Sequence, residues 1–216
     1  MCIIKDYEDF MDRLPTDELR RRFIMRAYEC GSETWRGVHD TLVSWFRQKY
    51  GNASLVVSNG YFGNKYVELS VGNIAEAMTF VEFIPDEGLQ WMQRLIKCTD
   101  GDVLDSFSGY KGRRQFVWTC ERLACFKEHF ETCEKILFEL SQHETESSIS
   151  NNSSGIWSGL FGVLVSNTET PLEERLNILI TRMCYYGNEQ NYDLFNSALS
   201  NALSMSGSRL LPPKMI

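Results

Sequence analysis

Apolar residues recur three and four positions apart along most of the chain, a spacing that predicts a succession of amphipathic helices. In the first, Ile3, Tyr7, Phe10, Met11 and Leu14 share a face. Pro15 ends it, because proline removes a backbone donor and clashes with the preceding turn. Thr16 caps a second helix, with Asp17 and Glu18 complementing its N-terminal dipole. Leu19, Phe23, Ile24, Ala27 and Tyr28 form its apolar face, and Gly31 stops it. A third helix, 33–50, draws its buried face from Trp35, Val38, Leu42, Val43, Phe46 and Tyr50.

The texture then changes. Residues 54–70, "SLVVSNGYFGNKYVELS", hold β-branched and aromatic runs around Asn59-Gly60 and Gly63-Asn64. They predict a small hairpin pairing 54–58 with 66–70, or two short extended pieces. Helical spacing resumes after Asn73, a candidate cap, and again after Pro85, where Leu89, Trp91, Met92, Leu95 and Ile96 are core candidates. The polar stretch 98–112 is the candidate internal boundary. Helices are then expected at 113–128, 129–142, 154–166, 172–186 and 190–205. The Ser/Asn-rich run 147–155 reads as a turn between helices, with Ser153 or Ser154 as cap and Asn151 and Asn152 turning the chain.

The fold expected is mainly α: an irregular helical array or α-solenoid with a small β-hairpin near residues 54–70. Residues 1–100 would form an N-terminal helical subdomain, winged-helix-like by element order, and 101–216 a helical-repeat subdomain.

Composition narrows the function classes. Five Trp, nine Tyr and thirteen Phe in 216 residues argue for a packed core. The net charge of −7 works against attraction to nucleic acid or anionic lipid. No apolar run is long enough to span a membrane, and seven cysteines scattered through helical patterns fit reduced thiols, so the cytoplasm is the expected compartment.

The sharpest chemical constellation is Cys125, His129 and Cys133, spaced by four so that a continuous helix aligns them; Cys120 or His143 would complete a zinc site. The first and third would lie about 12 Å apart along the axis, which opposes convergence on one ion. Mid-helix Cys125 is poorly placed for a thiolate nucleophile. Arg13, Arg20, Arg21, Arg22 and Arg26, with Lys111, Arg113 and Arg114, would mark a phosphate-binding surface; consecutive Arg20–Arg22 fan around a helix, and the plainer reading is a solvated face. Glu144 with Glu146, and Glu173 with Glu174, read as surface acids. Phosphate-loop, H-E-x-x-H, G-x-S-x-G and dinucleotide motifs are lacking, so no catalytic residue, cofactor or bound metal is expected.

The stretch from Arg113 to Leu179 resembles a helical-repeat region of bacterial STAND-type NTPases and related antiviral-defence proteins. The residues that carry it are Leu140 to Glu144, Ser150 to Gly155, Trp157, Leu160-Phe161, Thr168, Pro171 and Arg175-Leu176. The resemblance implies a scaffold or sensor that contacts a trigger; the NTPase core is not within these residues. The function expected is a non-catalytic protein-interaction or sensor module whose partner is another protein or the rest of a larger chain, with self-association open. Asn151, Asn152, Trp157 and Arg20–Arg22 are the candidate interaction residues. The alternatives are a nucleic-acid-binding module using the Arg-rich helix and a metal- or thiol-dependent enzyme.

Overall fold

A computed structural model describes residues 7–59, 65–110, 112–163 and 168–204. Helices α1 (Tyr7–Arg13), α2 (Asp17–Glu29) and α3 (Ser32–Tyr50) lead into strands β1 (Leu55–Asn59) and β2 (Lys65–Leu69). Then come α4 (Ile74–Val81), α5 (Pro85–Lys97), the short α6 (Gly101–Asp105), α7 (Arg113–Leu123) and α8 (Lys127–Gln142). Helices α9 (Ser153–Gly159), α10 (Leu172–Tyr186) and α11 (Tyr192–Leu203) complete the order, with a 3-10 turn Glu189–Asn191 before the last. The protein is mainly α with one small antiparallel hairpin. Ile3, Gly60, Gly63, Asn64 and Lys111, which enter the expectations above, lie outside the described residues, as do 164–166 of the helix expected at 154–166.

Local chemistry sets the boundaries. The Thr16 hydroxyl accepts from the Leu19 amide at 3.3 Å, and Asn73 Oδ1 accepts from Ala75 at 2.8 Å, each satisfying a donor that its helix leaves open. Gly31, at φ 106°, adopts a conformation that a Cβ would strain, and it lets α3 restart directly after the cap of α2. The strands pair Leu55 with Leu69, Val57 with Val67 and Asn59 with Lys65, the register expected for 54–58 against 66–70.

The helices pack in layers. Helix α4 packs on α5 and α7 on α8, while α4 also packs on α7 and α5 on α8, so the two pairs stack. Helix α9 lies on α7 and α8, and α11 on α9 and α10. The α4–α5 approach depends on Gly88, where an added Cβ would stand 2.6 Å from Val81 Cγ1. Edge-on aromatic contacts run through the stack: Phe46 on Trp91 at 5.2 Å, Phe116 on Phe107 at 5.3 Å, and Trp157 on Phe161 at 4.9 Å.

Stretch 98–112 contains α6 and buries Leu104 and Phe107, which belong to a core cluster of the described residues reaching from Met11 to Ala202. The structure revises two helix expectations. The 113–128 helix ends at Leu123, leaving Phe126 exposed as the N-cap of α8. Helix α9 stops at Gly159 instead of 166, and its cap is Asn152 in place of Ser153 or Ser154.

Candidate recognition cleft

The arginines expected to form a phosphate surface mostly serve the fold. Arg20 Nε donates to the Met11 carbonyl at 2.9 Å and its Nη2 to that of Leu14 at 2.7 Å, closing the C-terminal end of α1. Its guanidinium lies 5.9 Å from the centroid of the Trp45 ring. Arg21 and Arg22 both reach Glu18, and Arg26 pairs with Glu29. The three consecutive arginines therefore do not present one cationic face, because Arg20 turns inward and its neighbours are met by an acid.

Arg113 is fully buried. Its Nε donates to Phe107 O at 2.6 Å, Nη1 to Leu140 O at 2.7 Å and Ser153 Oγ at 3.2 Å, and Nη2 to Leu104 O at 2.9 Å and His143 O. Burial pulls its pKa below the ordinary value against the opposing charges of Glu144, Glu146 and Asp105. Arg114 pairs with Glu146 at 3.3 Å. Glu144 is pushed up by burial, but the Ser153 hydroxyl, the Glu146 and Ser154 amides and the Arg113 charge outweigh this and hold it below the ordinary range.

The three metal candidates do not converge. Cys125 sits in the break between α7 and α8, His129 in the first turns of α8, and Cys133 deep in the core. Among the described residues no group of three His, Cys, Asp or Glu side chains is arranged to hold a metal ion. Burial and a hydrogen bond with Cys120 push the Cys133 thiol well above its ordinary pKa, and burial followed by the charge of Glu121 pushes Cys125 up as well. Both thiols are thus held protonated, the opposite of what a nucleophile needs.

The Ser/Asn-rich loop is stitched inward. Asn152 Oδ1 accepts from the Gly155 amide at 2.7 Å while its Nδ2 donates to Glu146 O at 3.1 Å. Trp157, expected as an interaction residue, is fully buried, and its indole N–H donates to the buried carboxylate of Glu134 at 2.9 Å. The same carboxylate takes Arg182 Nε at 3.0 Å and Nη2 at 2.8 Å. Asn151 is half-buried in the turn. Asn152 also borders a polar cleft of about 440 Å³ with Ser150, Ser154, Gln190, Asp193 and Ser197.

A second cleft, of about 470 Å³, opens between α3 and the N-terminal end of α5. On α3, Trp35, His39, Val43 and Arg47 recur every fourth residue and so form one stripe; His39, Val43 and Arg47 line the cleft, and Asp40 and Ser44 flank them. Helix α5 contributes Ile84 at its cap, then Asp86, Glu87 and Gln90. Trp35 lies edge-on to His39 at 5.6 Å and to Tyr28 at 5.3 Å, with Phe83 at 6.4 Å, so an aromatic group packs beside the cleft residue His39. Glu87 is engaged by Arg47, whose hydrogen bond holds the carboxyl below its ordinary range.

Asp40 and Asp86 differ: their side chains are 82% and 90% exposed, and no Lys or Arg among the described residues pairs with either. His129, which the spacing offered only as a candidate metal ligand, directs Nδ1 at Asp86 Oδ1, 3.6 Å away, from a position only 8% exposed. The sequence signal for this site was the Trp35–His39–Val43–Arg47 spacing, which also fits a simple core stripe. No family model, curated protein or solved structure matches the chain.

Proposed function

We propose that this protein is a non-catalytic protein-recognition module, serving as a sensor or scaffold within a bacterial antiviral-defence system and acting in the cytoplasm. The observation that carries the reading is the α3–α5 cleft, where the exposed carboxylates of Asp40 and Asp86, which pair with no Lys or Arg among the described residues, stand near His39 and its neighbour Trp35. Exposed aromatic and charged groups arranged around a concavity are the usual anchors of a protein interface. The candidate thiols are protonated and mostly buried, which disfavours the enzyme alternative. The nucleic-acid alternative loses its main support, since Arg20 closes a helix end and Arg21 and Arg22 face Glu18.

The defence context rests on the resemblance of residues 113–179. In that stretch Asn152 caps, Trp157 and Phe161 pack, and Arg175 ties a helix end, which suits a scaffold. The test is paired. Purified protein assayed with ATP and with single- and double-stranded nucleic acid should give no turnover, while proximity labelling in cells of the source organism should recover a defined protein neighbour. Turnover that disappears on mutating one polar residue overturns the reading.

A further inference from the structure

We propose that α10 is a releasable strap, a helix that lifts from α8 as a unit while the other layers stay folded. The inference goes beyond the recognition reading and does not depend on it. Burial gives the first argument. Of the fifteen residues of α10 only Arg175 and Leu179 are buried, whereas α8 buries residues in every turn. Leu176, Ile178 and Met183 pack against the core from half-buried positions, while Ile180 and Tyr185 are exposed. Apolar area withdrawn from water is what chiefly holds a helix down, and Leu179 is the one apolar side chain that α10 buries fully.

The second argument is the kind of contact that stands in for apolar burial. Arg182 lies over the Phe138 ring at 5.0 Å and holds the buried Glu134 carboxylate through Nε and Nη2. When α10 lifts, guanidinium and carboxylate both regain the hydration that burial took from them, so the pair adds little net resistance. Glu134 meanwhile keeps the Trp157 indole N–H, 2.9 Å away. Arg175, in the first turn of α10, bonds the carbonyls of Leu160 and Gly162 and ties that end of the helix to the segment after α9. The third argument is space. A cleft of about 280 Å³ opens where Arg182 meets α5 and α8, lined also by Gln93, Ile96 and Phe138, so this flank of α10 is not closed against the body. Elements with little buried apolar area open at lower free energy than the core they cover. Release uncovers one side of Phe138 and the Glu134 carboxylate.

Native-state hydrogen exchange on the full chain, read by mass spectrometry in low urea, tests this. After correction for intrinsic rates, amides of α10 should exchange at least about tenfold faster than the slowest amides of α8. Their rate should stay flat as urea rises, because lifting one helix exposes little surface, while that of α8 climbs. The lifted form is a minor state, so equilibrium unfolding keeps a single transition. Two variants separate local release from global unfolding. Val117→Ala removes buried contacts of α7 that persist when α10 lifts, so it should speed α8 exchange by about tenfold and leave α10 at the wild-type rate. Leu179→Ala weakens the seat of α10 itself and should speed α10 exchange by about tenfold or more. Exchange of α10 in step with α8 across the urea series overturns the proposal, as does equal acceleration of both helices by Val117→Ala. An α10 rate unmoved by Leu179→Ala overturns it as well. The wild-type urea series decides the matter even where a variant does not fold.

Discussion

Arg113 has five N–H donors, and five acceptors surround it, four of them backbone carbonyls and one a serine hydroxyl. Removing this side chain takes a donor from each of those buried oxygens, although the Leu104 and Leu140 carbonyls keep the Phe107 and His143 amides, so Arg113→Ala should destabilise the protein by about 3 kcal/mol or more in urea unfolding. Arg113→Lys should recover less than half, because an ammonium cannot reach both sides of the fork. Glu144 beside it gives a pH signature. Its folded-state pKa lies below the ordinary 4.5, so its contribution is complete above that pH and is lost as the pH falls through the depressed value. Unfolding midpoints should therefore drop on acidification below about 4.5, and the Glu144→Gln variant, less stable at neutral pH, should show a shallower acid limb. None of this was legible in the sequence. An arginine among basic neighbours reads as a surface cation, and its true acceptors are mostly backbone groups, which every residue type possesses and only the tertiary fold brings together.

At the level of elements, helix ends were the legible part and helix joints were not. Thr16, Asn73, Pro85 and Pro171 are local signals, and α10 spans the expected 172–186 because Pro171 and the acids Glu173 and Glu174 act within one turn. The break at 124–126 lacks a Gly or Pro, so periodicity alone carried the expected helix through it. The joints repeat one device. Arg20 donates to carbonyls at the end of α1, Arg94 to Gly51 after α3, Arg113 to the ends of α6 and α8, and Arg175 to Leu160 and Gly162 after α9. Each satisfies C-terminal carbonyls that have no partner within their own helix, and the positive charge meets the negative end of the dipole. The loop before α9 depends on a smaller version. Asn152→Ala should cost about 1 kcal/mol in denaturant unfolding through loss of the cap. Gly155→Ala should cost more, since the added Cβ would lie 2.1 Å from the Ser150 carbonyl oxygen.

Across the whole molecule, most buried apolar side chains of the described residues form one cluster, and α5 packs on α8 across the expected division at residue 100. Urea unfolding should accordingly give one transition, with tryptophan fluorescence and far-UV circular dichroism superimposing; two separated steps would contradict a shared core. The stretch 98–112 has the composition of a loop, yet Leu104 and Phe107 are buried and Val103 packs against the core. The α3–α5 cleft was illegible for a related reason, since α3, α5 and the buried His129 of α8 meet only after the layers stack. The arginine joints also bear on how this protein can diverge. A cation that binds main-chain oxygens needs no particular side chain opposite it, so neighbouring positions are free to drift without compensating exchanges. In relatives of this chain, Arg175 should stand as an invariant position with no co-varying acid, and such a solitary arginine would trace its lineage after the surrounding helices have lost recognisable similarity.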